Sequence, residues 1–524
     1  MKARIIIIVL PIIILLCFIF FLNDKFLFEE LFSLYLFPYI LFSILFGFYA
    51  LIKLLFGKRV SLKSFINKTI ITSSIFNIIF LVLVIYLSYP QYIVKKDAER
   101  DIDFMIKTFE DVHPDLYSQI PKDTFYSHVR KLKDNLPREI KIGNFYKDIA
   151  ILAAEVKDGH TTAEFSSLVN TGILFFKKIF PYKIKILDDK VFVAKNYSYK
   201  ENIEIGSEII KINGIAANKV IEDASRILSY ENIPFRNYLL GNPFCLSMWN
   251  NYKDFEIIYK EKSTSKIKSI TASGGLYAKI NFQKEIMKSY TEPYYEFKIL
   301  ENNIGYIGFY RFVNFSKFSN FLKETFYKVK SKGIKDLIID IRDNGGGESS
   351  LGDELLQYIS PKPFRQFEKA IIKISKEAIS KKGLDDIYKD KLDSLYVLSD
   401  TAKIALRENP LRFNGNCYLL VGGHTFSSAS DFASAFQCYN VGTIIGTETG
   451  GLTVSFGDMC LFELPMSKLM VGVSCKQFFN ACGVENGRGI IPEYTVNNTL
   501  EDEKNSFDRV LNFTINLINK KTKI

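Results

Sequence analysis

The sequence is poor in the side chains that build metal centres and in the loops that hold cofactors. Its 524 residues include only four histidines and seven cysteines. The cysteines form no CxxC pair and share no Cys/His spacing of the kind that makes a zinc site. No GxxxxGK[ST] string is present to cradle a nucleotide phosphate, and no strand is followed by GxGxxG. No metal or organic cofactor is expected. Internal repeats are absent and the only biased tracts are apolar, so a solenoid or a disordered scaffold is excluded. The net charge of +11 is spread along the chain and excludes nothing by itself. Scattered lysines on amphipathic segments are ordinary solvated faces, and no nucleic-acid partner is expected.

Apolar residues make up 48% of the chain but crowd its start. Three runs, Ile5 to Leu22, Leu31 to Ile52 and Ile70 to Tyr89, each reach the length of about 20 residues needed to cross a bilayer. Lys2 and Arg4 precede the first run, and Lys53, Lys58, Arg59, Lys63 and Lys68 separate the second from the third. Short loops rich in Lys and Arg stay cytoplasmic. The expectation is a multi-pass cell-membrane protein, anchored in the lipid bilayer by residues 1–94, with its N-terminus inside and everything from about residue 95 outside. The runs contain no acidic or basic side chain, which argues against a transporter or an ion pathway. Cys17 falls in the first run and Cys245, Cys417, Cys438, Cys460, Cys475 and Cys482 fall beyond the anchor; their pairing is left open.

Beyond residue 95 the pattern changes. Ile102, Met105, Ile106 and Phe109 recur at helical spacing, as do Ile149 and Leu152, so residues 95–175 read as a helical lead-in. Short strands and the string GSEIIKING (Gly206–Gly214), a strand entering an Asn-Gly turn, mark a β unit over 176–265. From 266 to 500 strands alternate with helices, with GYIGFYRF (Gly305–Phe312), DLIIDIR (Asp336–Arg342), CYLLVG (Cys417–Gly422) and TIIGTE (Thr443–Glu448) as strands. This alternation predicts a largely parallel α/β core. Pro361 to Asn414 reads as helical and Lys-rich, and 501–524 as a C-terminal helix.

Three separated strings carry chemistry. GGHTFSSASDFA (Gly422–Ala433) places serines in a small-residue turn between a buried strand and a helix, where a hydroxyl meets the positive helix end. As ordinary helix caps, Thr425, Ser427 and Ser428 would need no further explanation. VKDGHT (Val156–Thr161) offers His160 as a base; His424 is three residues from Ser427, and His113 and His128 lie in the helical lead-in. In IDIRDNGGGES (Ile339–Ser349), Gly345, Gly346 and Gly347 follow a buried strand, where backbone N–H groups can converge on an oxyanion. Asp340 and Arg342 read as a brace for that turn.

Taken with IIGTETGG (Ile444–Gly451), these strings resemble the carboxyl-terminal processing (tail-specific) peptidases and their tricorn-core relatives. The resemblance spans roughly residues 97–495 and implies a ClpP/crotonase-like α/β core with a PDZ-like β unit before it. Tail-specific members pair the serine with a lysine, and the ungapped position for that lysine is Leu452. Tricorn-like members use Ser, His and Glu, which implies Ser427, His160 and Glu485 (in GVENGRGIIPE) as catalytic residues. It also implies an oxyanion hole from the N–H of Ser428 and of a glycine among Gly345, Gly346 and Gly347. The expected function is a membrane-anchored serine endopeptidase acting on extracytoplasmic proteins or peptides. The alternative is an inactive peptide-binding membrane protein that kept the fold.

Overall fold

The computed structural model describes residues 92–522 apart from 166–177, 199, 201, 250–253, 276–280, 283–292, 383–389 and 399–401. These residues fall within one unit of the chain, Gln91–Ile524.

A short strand pair, β1 (Tyr92–Val94) with β2 (Glu139–Lys141), brackets helices α1 (Lys95–Val112) and α2 (Lys122–Asn135), and α3 (Ile142–Ala154) follows. In α1 the residues Ile102, Met105, Ile106, Phe109 and Val112 form one buried stripe, joined by the buried Asp101, which accepts the N–H groups of Met466 and Ser467. The chain then makes a turn into β3 (Thr162–Glu164).

An antiparallel sheet follows, built from β4 (Tyr182–Leu187), β5 (Lys190–Asn196), β6 (Glu208–Ile212) and its short partner β7 (Ile215–Ala216), then β8 (Asp254–Lys260) and β9 (Ile267–Ser273). Helices α4 (Ala217–Ser225), α5 (Ile233–Gly241) and α6 (Pro243–Trp249) lie between β7 and β8 in sequence. The Asn213-Gly214 turn between β6 and β7 has positive φ at both residues, the backbone that this dipeptide adopts most readily.

The core sheet runs β10 (Tyr295–Leu300), β11 (Ile304–Phe309), β12 (Asp336–Asp340), β15 (Asn416–Val421), β16 (Gly442–Gly446), β19 (Tyr494–Thr495), in that spatial order. All pairs are parallel except β10 with β11. Strand β12 is buried on both faces: Leu337 and Ile339 pack into one cluster and Ile338 into another. The first cluster holds α7 (Phe315–Ser331), α8 (Ser350–Ile359) and α10 (Ser428–Cys438) against the sheet, and the second holds α12 (Arg509–Thr522). The short α11 (Leu500–Lys504) precedes α12. Near-continuous apolar strands with helices on both faces are the expected signature of a parallel sheet.

A further sheet is ordered β14 (Ser394–Leu398), β13 (Phe367–Ile374), β18 (Met470–Asn480), β17 (Val454–Glu463), with β3 paired to β18. The β3 contact positions the site. Met470 faces Glu164 and Gly472 faces Thr162, so the turn that carries His160 is fixed to a strand far later in the chain. Residues 361–414 differ from the helical expectation. Among the described residues of that stretch are the antiparallel pair β13–β14 and, between them, the seven-residue α9 (Lys376–Lys382). In FEKAIIKI the pairing of β13 on both sides outweighs the helix propensity of its lysines.

The mixed α/β core stands, but the membrane part of the expectation does not. No helix among the described residues is long and apolar enough to cross a membrane. The longest, α1, has 18 residues and carries a charged face through its whole length. The runs Ile5 to Leu22, Leu31 to Ile52 and Ile70 to Tyr89 lie outside the described residues, and the structure gives no support to a multi-pass arrangement or to the localisation drawn from it.

Candidate active site

Ser427 stands between β15 and α10 with φ 52° and ψ −135°. That backbone region is costly for a residue with a side chain, of order 1–3 kcal/mol. It occupies the cap position of α10, yet its side chain makes no capping hydrogen bond. The hydroxyl instead stands 3.2 Å from Nε2 of His160, across 267 positions of sequence. Its neighbour Ser428 is committed elsewhere: its Oγ donates to the carbonyl of Gly347 (2.7 Å) and lies 2.9 Å from Oγ of Ser349. The two adjacent serines are thus divided between a free hydroxyl and a brace.

The turn is pinned to the end of β12. Thr425 Oγ1 donates to the Ile341 carbonyl and the Phe426 N–H donates to the Asn344 carbonyl. Asn344, fully buried, donates from Nδ2 to the Phe309 carbonyl and accepts the Gly346 N–H on Oδ1. Gly346 has φ 93°, and a Cβ there would come 2.8 Å from the Phe426 carbonyl oxygen and 2.9 Å from Cβ of Ser427. Only glycine permits this approach. Among the described residues the N–H groups of Gly345, Gly347 and Ser428 have no acceptor, whereas that of Gly346 is taken by Asn344. Asp340 and Arg342 form the expected brace, extended by a two-pronged contact from Arg342 to Asp508 just ahead of α12.

His160 closes a tight turn after α3. Its backbone N–H donates to Asp158 Oδ1 (2.9 Å), an Asx turn, and its ring stacks on Phe426, which stacks on Phe235. Gly159 makes room for this stack, since a Cβ would meet the Phe426 ring at 2.6 Å. Asp158 is fully buried. Its Oδ2 accepts from Thr161 Oγ1 and Ser474 Oγ, its Oδ1 lies 3.8 Å from Nδ1 of His160, and Nε2 of buried His113 lies 3.4 Å from Oδ2. Half-buried Glu231 accepts the N–H groups of Gly159 and Leu452, each at 3.3 Å. One donor atom each from Asp158, His160 and Glu231 lies within 4.8 Å of the other two.

The charges of this group interact. Burial alone would lower the imidazole of His160, but the carboxylate of Asp158 beside it, then the charges of Glu231 and Asp431, raise it above the ordinary 6.5. Burial would raise Asp158, yet the two histidines beside it hold its carboxyl well below the usual range. Glu231 is pushed up to about 8, by burial first and the charge of Asp158 second. Asp431, on the first turn of α10, is pushed up to about 7 by burial. His424 stacks on Tyr238 and is driven down to about 4, mainly by burial.

Glu485 is not brought to this group. It is exposed, in the loop after β18, and no hydrogen bond or ion pair joins it to His160 among the described residues. A disulfide between Cys438 and Cys482 ties the start of that loop to the far end of α10. That helix has 11 residues and spans about 16 Å, so the anchor is remote from Ser427. The acids beside His160 are Asp158 and Glu231. Asp158 lies two residues from the histidine, within VKDGHT, where an Asx turn was its readable signal; Glu231 sits in no motif.

Residues 303–496, which hold the glycine turn and Ser427, match Peptidase family S41. That stretch, from just after β10 to β19, is the core of a serine peptidase of this family. Its substrates are accordingly proteins or peptides. No curated protein matches the chain. Among solved structures it is similar to mature CPAF complexed with lactacystin, with a TM-score of 0.61 at 12% identity over 81% of this chain and 99% of that one. Mature CPAF alone gives 0.58 at 12% identity, covering 78% and 94%. The tricorn protease gives 0.38 at 14%, covering 82% of this chain and 37% of that one. At these identities CPAF speaks to the fold alone, and the tricorn likeness carries no argument. His160, Asp158 and Glu231 lie outside the family match, so their roles rest on geometry.

Proposed function

We propose that this S41 peptidase cleaves peptide bonds by acyl transfer through Ser427, with His160 as general base. The observation that carries the reading is the 3.2 Å contact between Ser427 Oγ and His160 Nε2, at a serine whose strained backbone keeps its hydroxyl out of capping. Ser427 attacks the carbonyl carbon, Nε2 takes the hydroxyl proton, and the same imidazole returns it to the leaving amine. The carboxylate of Asp158, not Glu485, supplies the negative charge that stabilises the imidazolium as it forms, with Glu231 held beside it. The developing oxyanion is received by the free N–H groups of Ser428 and Gly347. Water then hydrolyses the acyl-enzyme. The antiparallel sheet of β4–β9 with α4 is where we place capture of a peptide carboxyl terminus, as an added strand.

The test is to quench the protein during turnover of a peptide ester and locate the acyl group by mass spectrometry. An acyl adduct on Ser427 is expected; an adduct elsewhere, or turnover with none, contradicts the reading.

A further inference from the structure

The acid–base side of the site carries a defect that catalysis alone does not explain. Nδ1 of His160 is buried and has no hydrogen-bond partner, as Asp158 Oδ1 stays 3.8 Å away. Such an atom is rare in folded proteins, and a bound ion is one of the few causes. Asp158, fully buried, and Glu231, half-buried, each place a carboxylate oxygen within 4.8 Å of a ring nitrogen of His160; Asp158 also has His113 Nε2 at 3.4 Å, and among the described residues no Lys or Arg pairs with either acid. Buried carboxylates are normally paired or bound to a metal. Both are also held in place, Asp158 by Thr161, Ser474 and the His160 N–H, and Glu231 by two backbone N–H groups. Oriented carboxylates around an open imidazole nitrogen are the arrangement that metal sites build.

We propose that Asp158, His160 and Glu231 form an inhibitory site for one divalent transition cation, Zn2+ above the others. One imidazole and two carboxylates suit Zn2+, with water as a fourth ligand. Tetrahedral metal–ligand bonds of about 2.0–2.2 Å set the donors about 3.3–3.6 Å apart, so from a present spread of 4.8 Å they need to close by roughly 1–1.5 Å, a side-chain adjustment. The consequence for activity is a matter of tautomers. A neutral imidazole bound through Nδ1 carries its proton on Nε2, so it can donate to Ser427 Oγ but cannot take its proton. The cation thus disables the base without touching the nucleophile.

This inference rests on the role given to His160 above, and the experiment separates the two. The Ser427→Ala chain, stripped with chelator, is titrated with Co2+ alone. Tetrahedral ligand-field absorption saturating at one equivalent is expected, displaced by Zn2+ and weakened by about tenfold or more in affinity when Glu231→Gln is added. Absence of that absorption, or its persistence in the double variant at full affinity, overturns the metal site whatever the serine does. In parallel, Zn2+ should block labelling of Ser427 in the wild-type chain by a fluorophosphonate, with recovery on chelation. Should Glu231→Gln fail to fold, a rise in the wild-type Tm with Zn2+ and none in Asp158→Asn makes the same decision. A chain that binds Co2+ but never labels at Ser427 keeps the site and refutes the catalytic reading.

Discussion

Ser427 and the glycine turn are braced by local side-chain hydrogen bonds, with Asn344, Thr425 and Ser428 each tying one strand end to the other, and the N–H groups of Gly345, Gly347 and Ser428 are left open among the described residues. The His160 side is assembled differently. It hangs on a three-residue strand pairing with β18, and it keeps two buried ring nitrogens, Nδ1 of His160 and Nε2 of His113, without partners. The nucleophile is therefore fixed by covalent neighbourhood and local hydrogen bonds, and the base by long-range pairing and uncompensated charge. Rate should depend steeply on atoms of the first region, while pH and cations should act through the second.

The comparison can be broken most sharply at the nucleophile. Ser427→Ala should reduce peptide hydrolysis by about 10⁴–10⁶-fold with little change in Tm, since it removes an oxygen that braces nothing. Gly346→Ala should follow, with a loss of about 10²–10³-fold in kcat. It should also lower Tm, because the new methyl meets the Phe426 carbonyl at a positive φ. Gly143→Ala, at a position with nothing within 4 Å, is the control that should leave activity intact.

On the base side, His160 acts as base only when neutral, and its neighbours raise it above 6.5. In chelator-treated buffer kcat/KM should therefore fall as pH drops through a midpoint above that value. Asp158→Asn removes the largest raising influence, so its acid limb should move to lower pH while the maximum rate falls. A limb that does not move would remove Asp158 from contact with the base. The smallest effect is expected for Glu485→Gln, less than about fivefold, as befits an exposed charge. A larger loss would mean that the loop after β18 reaches His160 during turnover.

Much of the nucleophile region was legible because its chemistry is local. A buried apolar strand, a glycine triplet and a small-residue turn each leave a contiguous string; β12 lies within the strand read from its string, and β11, β15 and β16 each begin one residue before theirs. The acid partner was not legible. Glu231 reaches the site because the chain after α4 returns to the turn at Gly159, and no spacing encodes that. Asp158 was visible as a turn residue but not as a buried charge, since burial depends on β18 covering it with Ser474. Residues 361–414 misled for the same reason: β13 is a strand because β14 and β18 flank it, not because of its composition. The chain's apolar start gave a clear membrane pattern, yet no described helix spans a bilayer.

The most direct test of the account is the rate at which a fluorophosphonate labels Ser427 in the wild-type chain and in His160→Ala, with the site mapped by mass spectrometry. Labelling confined to Ser427 and slowed by about 10³-fold or more in the variant is the predicted result. Equal rates in the two proteins would show that the imidazole 3.2 Å from the hydroxyl does not act on it.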